Sequence, residues 1–296
     1  MRQGKLYAVF PWQLGVIALV LGAAWWVNQL AFDPDAVPRL EPVWETDAVF
    51  MTPESVLYDA GREVLYVANV NGGFDTRDGN GFISRLGLDG TVLELEWATG
   101  LNAPKGMAIQ GGRLYVADLN ELVEIDLASG AIVGKHSEPG AQFFNDVALD
   151  ARGRLFVTDT FAQRVYTLTD AGLAVWLEDA RFAGLNGLWV ERDRLLTGSF
   201  QSGALYAVSL DGKAISVAGE GFGAQDGVVA VGRRGYLVSN FQGEVYWTTL
   251  KAAPVRLLDT RAQGRNAADI GYAARHRLLL VPTFSGNVVS AYRVAF

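Results

Sequence analysis

The sequence predicts an all-β chain folded as a six-bladed β-propeller with four-stranded blades, and three observations carry that reading. A motif of one polar residue followed by an apolar run occurs six times: Glu54-Ser-Val-Leu-Tyr-Asp59, Lys105-Gly-Met-Ala-Ile-Gln110, Asn145-Asp-Val-Ala-Leu-Asp150, Asn186-Gly-Leu-Trp-Val-Glu191, Asp226-Gly-Val-Val-Ala-Val231 and Asp269-Ile-Gly-Tyr-Ala-Ala274. The copies lie roughly 40 residues apart, the period of propeller blades. Each repeat also supplies four short β-type runs separated by Gly, Asp or Asn turns. Beyond the N-terminal segment no long 3.6-residue periodicity is found, which excludes a helical core.

The elements follow in chain order. Arg2 and Lys5 precede an apolar stretch from Leu14 to Val27. A basic start before an apolar segment fits a secretory signal. Trp25 and Trp26 also fit the interfacial belt of a retained anchor. Residues 1–31 are therefore expected to be a signal peptide or N-terminal membrane anchor. The domain is expected to be exported, periplasmic or extracytoplasmic, and to meet a membrane only through this segment. Residues 32–41, with Pro34 and Pro38, read as a linker, and residues 42–296 as the propeller. Blade three shows the four-run pattern at Asn145–Asp150, Arg154–Asp159, Arg164–Leu168 and Leu173–Leu177. Blade five repeats it at Asp226–Val231, Gly235–Asn240, Glu244–Leu250 and Pro254–Asp259. Blade six runs out of chain after its third strand, Asn287–Val294. The run from Pro42 to Phe50 is expected to supply the fourth, closing the ring by pairing the two ends of the domain.

Composition removes several classes of function. The formal charge of -7 and the lack of a basic patch argue against nucleic acid. With no cysteine there is no disulfide framework, thiolate metal site or cysteine nucleophile. His136 and His276 are the only histidines, so a multi-histidine metal site is excluded.

If each motif is the innermost strand of its blade, the six polar heads meet at one mouth of the central channel. Glu54, Asn145, Asn186 and Asp226 then offer carboxylate and amide oxygens to a hard divalent cation. Calcium comes first, with magnesium, manganese or zinc as alternatives. Such an ion polarises a carbonyl or phosphoryl oxygen, and a carboxylate beside it can activate water. The bland alternative is that these groups are solvated by channel water. Strand order also brings the ends of the second strands, Asn69, Asp118, Asp159, Ser199, Asn240 and Thr283, to the same mouth. There they read first as turn formers. The insertion Asn71–Gly81 in blade one is expected to sit over the mouth as a lid.

The ordered series Pro53-Glu54-Ser55, Asn145-Asp146, Asn186-Gly187-Leu188 and Gln225-Asp226-Gly227 resembles the gluconolactonase/regucalcin (senescence marker protein) family of six-bladed propellers, over roughly Pro53 to Val294. The resemblance implies that Glu54, Asn186 and Asp226 bind the metal and that Asn145 touches metal or substrate. It implies that Asp226 doubles as the base, or as the nucleophile in a phosphotriesterase-like side reaction. The implied chemistry is hydrolysis of a small-molecule lactone or related ester. Lys105 and Asp269 depart from the family pattern. Lys105 is expected either to pair with Glu54 or Asp269 and compete with the metal, or to bind a substrate carboxylate. Neither histidine is placed for catalysis and none can activate Ser55, while Trp176, Trp189 and Trp247 read as inter-blade core. The competing reading is a non-enzymatic ligand-binding or assembly propeller that holds a structural ion.

Overall fold

A computed structural model describes residues 36–296. The segment 1–31, read as a signal or anchor, lies outside the described residues. Among those residues no helix is long and apolar enough to cross a membrane.

Alternating apolar runs bounded by Gly, Asp and Asn turns form six antiparallel sheets of four strands. Blade one comprises Pro53–Asp59, Val64–Asn69, Gly81–Gly87 and Val92–Leu101, and blade two Pro104–Gln110, Arg113–Asp118, Glu121–Asp126 and Ile132–Ser137. Blade three comprises Phe144–Leu149, Leu155–Asp159, Arg164–Thr169 and Gly172–Glu178, and blade four Leu185–Val190, Arg194–Ser199, Leu205–Ser209 and Ile215–Gly219. Blade five comprises Gln225–Val231, Gly235–Asn240, Glu244–Thr248 and Val255–Asp259. Blade six takes Gly271–Ala273, Leu278–Thr283 and Val288–Ala295 from the end of the chain. Its outermost strand is Arg39–Glu45, paired antiparallel with Val288–Ala295. The strand that closes the ring thus starts at Arg39, three residues before the run at Pro42, because Arg39, Leu40 and Glu41 pair with Ala295, Val294 and Arg293.

The first strands of successive blades adjoin one another around the ring, and that of blade one meets that of blade six. Each of the six blade-to-blade interfaces has its own apolar core. Tyr66, Ile83 and Trp97 of blade one meet Met107, Leu114 and Val123 of blade two. Trp176 joins Phe182 and Leu195 between blades three and four, and Trp247 joins Leu279 and Val281 between blades five and six. Trp189 packs on the cores to either side of blade five. The tryptophans therefore do the packing work expected of them. Truncating one such as Trp247 costs about 3–5 kcal/mol.

The inner strands approach closely because glycine follows the head residue in three blades. A Cβ on Gly187 would come within 2.0 Å of Asp226 O, and one on Gly227 within 2.5 Å of Asp269 Oδ1. Both contacts are far inside van der Waals distance, so these two positions admit no side chain.

Candidate metal centre

A shared backbone irregularity builds the site. In blade three Phe144 pairs with Asp159 and Val147 with Val157, so Asn145 and Asp146 together face one residue of the next strand. The same shift occurs after Leu185, Gln225, Pro104 and Pro53. A bulge of this kind bends the strand and re-aims a side chain. Here it turns Glu54, Lys105, Asn145, Asn186 and Asp226 into one cavity of about 340 Å³ at the channel mouth. All five are buried.

Asp269 does not belong to that ring. Gly271 pairs with Leu280, and Ala268 N donates to Pro282 O. Continuing this register makes Ala268 the counterpart of the five heads. Asp269 instead forms a parallel bridge with Ser55, the residue after Glu54. It lies one residue further in and lines a separate channel cavity with Ser55 and Asp146. The motif count placed it one position too far toward the mouth because a bulge adds a residue that spacing alone does not reveal. Asp269 Oδ2 accepts from Ser55 Oγ at 2.6 Å, and Asp269 N donates to Glu54 O at 2.9 Å. Asp269 therefore stitches blade six to blade one, and Ser55 is a hydrogen-bond donor to it. Asp146 does the same between blades three and four. Its carboxylate accepts from Val147 N at 2.7 Å and from Leu188 N at 2.5 Å.

The ring oxygens are incompletely satisfied. Glu54 Oε2, Asn186 Oδ1 and Asp226 Oδ1 are buried and have no hydrogen-bond partner. Buried polar atoms are partnered in the great majority of cases, and three orphaned oxygens on one cavity floor make a donor set that fits a cation. Electrostatics agrees. Burial, reinforced by the Asp226 and Asp269 charges, pushes the Glu54 carboxyl well above its usual range, and Lys105 only partly offsets this. Asp226 is raised by burial and by Asp269, with a hydrogen bond from Asn186 opposing. Such carboxylates gain strongly from a bound cation. Among the described residues no three His, Cys, Asp or Glu side chains cluster for metal binding. The donor set is mixed, two carboxylates and two amides, and this suits calcium better than zinc.

Lys105 is already engaged. Its ammonium donates to Ala103 O at 2.8 Å and Phe74 O at 3.1 Å and sits 4.3 Å from the Phe143 ring centroid. Burial brings its pKa down to about 8 despite the opposing Glu54 charge. It makes no ion pair with Glu54 or Asp269 among the described residues, so its influence on Glu54 acts through space. Its bond to Phe74 O ties the Asn71–Gly81 insertion, whose Phe74 also lines the cavity, to the mouth.

Five of the six second-strand ends are loop anchors; Thr283 Oγ1 instead donates to Val288 O within its own blade. The Asp118 carboxylate accepts from Ala103 N at 2.7 Å and from Asn102 N and Nδ2. Asp159 accepts from Gln142, Phe143, Phe161 and Ala162 N. Asn69 Oδ1 accepts from Met51 N, Ser199 Oγ donates to Ala183 O, and Asn240 Nδ2 donates to Phe222 O. Each fixes the segment that leads into its blade's first strand, and so aims the head residue. The histidines are remote: His276 Nε2 lies 2.8 Å from Glu63, and His136 Nε2 3.3 Å from Glu124.

The aromatic wall was missed from the sequence. Phe74, Phe143, Phe161, Phe200, Phe241 and Phe284 line the mouth above the polar floor. A signal was available. Phe200, Phe241 and Phe284 each follow directly on a second-strand end, and Phe161 follows Asp159 by two residues.

No protein-family model and no curated protein matches the chain. Solved structures do. A "putative gluconolactonase" superposes with a TM-score of 0.66 at 16% identity, covering 88% of this chain and 93% of its own. A streptogramin B lyase gives 0.63 at 11% identity over 87% of this chain and 98% of its own. An inactive variant of virginiamycin B lyase from Staphylococcus aureus, solved with quinupristin, gives 0.62 at 11% identity over 87% and 99%. These likenesses establish the propeller fold. Proteins named for hydrolytic and for lyase activity thus share it.

Proposed function

We propose that this protein is a metal-dependent hydrolase of a lactone or related ester, with calcium as the first choice of ion. The observation that carries the reading is the set of orphaned oxygens on Glu54, Asn186 and Asp226, gathered with Asn145 on the floor of one cavity. These four residues would hold the ion. When bound, it supplies Lewis-acid polarisation of the scissile carbonyl. The chain's own contributions are separable. Asp226 is the group that takes the proton from the attacking water, through the carboxylate oxygen it would not give to the ion. Asn145 orients metal or substrate from the adjacent head position. Lys105 holds the lid residue Phe74 over the floor and adds positive potential beside Glu54. The phenylalanine wall keeps bulk water from the floor, where low dielectric strengthens each of these charges.

The likeness to a protein named as a gluconolactonase, together with the head series in this chain, supports a hydrolase over a lyase. Asp226→Asn is the deciding variant. It is expected to lower kcat by at least about 100-fold on lactone and ester substrates while far-UV circular dichroism and the thermal midpoint stay close to wild type. A chain that turns over no lactone or ester with calcium, magnesium, manganese or zinc leaves the ligand-binding propeller as the reading that stands.

A further inference from the structure

We propose that the part of the substrate held above the floor is apolar, so that the ligand is an alkyl or aryl lactone or ester and not a polyhydroxylated sugar lactone. The inference rests on the hydrolase reading of the same site, and it is carried by the walls of the cavity.

Every large wall side chain is phenylalanine, which offers neither donor nor acceptor. Among the described residues the one polar wall residue is Thr160, and its hydroxyl proton is committed to Leu185 O at 2.6 Å. The rings form two arcs. Phe74, Phe143 and Phe161 touch in series, with centroids 6.0 and 4.6 Å apart, on the side of blades one to three. Phe200, Phe241 and Phe284 touch in series at 5.9 and 5.7 Å across blades four to six. Phe74, Phe161 and Phe200 are 52%, 55% and 41% exposed. A patch of large apolar side chains left in water around a polar centre marks a binding site.

A sugar lactone would bring several hydroxyls against these rings, and each one stranded costs at least about fivefold in affinity. An alkyl or aryl group gains about fourfold for each methylene it buries. The polar demand of such a substrate is confined to its ester group. That matches a floor where the polar residues Glu54, Lys105, Asn145, Asn186 and Asp226 are concentrated.

The test compares three lactones with the calcium-loaded full-length protein: γ-decalactone, γ-butyrolactone and δ-gluconolactone. The expected kcat/KM is at least a hundredfold higher for γ-decalactone than for γ-butyrolactone. The ratio should collapse at least tenfold in a Phe161→Ala, Phe200→Ala double variant. A kcat/KM for δ-gluconolactone equal to or above that for γ-decalactone overturns the inference and leaves the hydrolase reading intact. If none of the three is hydrolysed, the hydrolase reading is what fails. Calorimetry with the non-hydrolysable pair N-hexyl-2-pyrrolidone and 2-pyrrolidone then decides the inference alone. Tighter binding of the hexyl compound, weakened at least tenfold in the double variant, sustains an apolar occupant, and equal binding of the two overturns it.

Discussion

Lys105 shows how one residue can bear on the site from two directions. Its ammonium adds a positive charge beside Glu54, and its hydrogen bond to Phe74 O pins the inserted loop. Lys105→Met keeps the stem but removes both effects. It is expected to tighten calcium binding by about tenfold, the scale of a charge at short range in a partly shielded site, and to speed proteolytic cleavage within residues 71–81. Unchanged affinity and cleavage would show the ammonium to be a bystander. Asp269 predicts a pH dependence. Burial raises its pKa from 3.8 to about 6 against the lowering effect of Ser55. Without metal, the folded chain therefore binds more protons than the unfolded chain between those values. The resulting stability is complete below the unfolded pKa and is lost as pH rises through the folded one. Asp269→Asn removes that dependence while keeping an acceptor for Ser55 Oγ. Relative to wild type it should gain stability as pH rises from 4 to 7, as followed by urea unfolding in a chelator. A difference that stays constant with pH would contradict this.

At the scale of elements, the bulge explains both what the sequence made legible and what it hid. A polar head before an apolar run was readable at Glu54, Asn145, Asn186 and Asp226 because each opens a buried strand, where a polar residue is out of place. Asp269 was misplaced by one position because blade six carries alanine at the head, and spacing cannot locate an extra unpaired residue. Asp146 looked like part of an Asn-Asp motif, and its role as a stitch to Leu188 depends on a contact between blades that sequence does not encode locally. The phenylalanine wall was written in the chain. It went unread because single aromatics after polar turn residues look like ordinary core. The loop anchors make a prediction of their own. Asp159→Ala strands four backbone donors. It should cost about 2–4 kcal/mol by chemical denaturation and weaken calcium binding by loosening the segment that carries Asn145. Loss of stability with no change in calcium affinity would separate the anchor from the site.

For the whole molecule, six repeats of one supersecondary unit made the propeller legible from periodicity, and the short third-strand ending of blade six made its closure legible as well. The closure is thermodynamic as well as geometric. Arg39–Glu45 covers the strand Val288–Ala295, Trp44 Nε1 donates to Leu88 O, and Arg265 pairs with Glu45. Deleting residues 39–45 exposes an unpaired edge. It should lower the thermal midpoint by several degrees and promote association seen by light scattering; a monomer with the wild-type midpoint would count against closure as a source of stability. The central claim is that the ring at the mouth is a cation site. The measurement that tests it most directly is a calorimetric calcium titration of the metal-stripped protein, in wild type and in Glu54→Gln. The account predicts saturable binding in the wild type that is weakened at least 100-fold by the substitution. No calcium binding by the wild type, or equal binding by the two proteins, would contradict it.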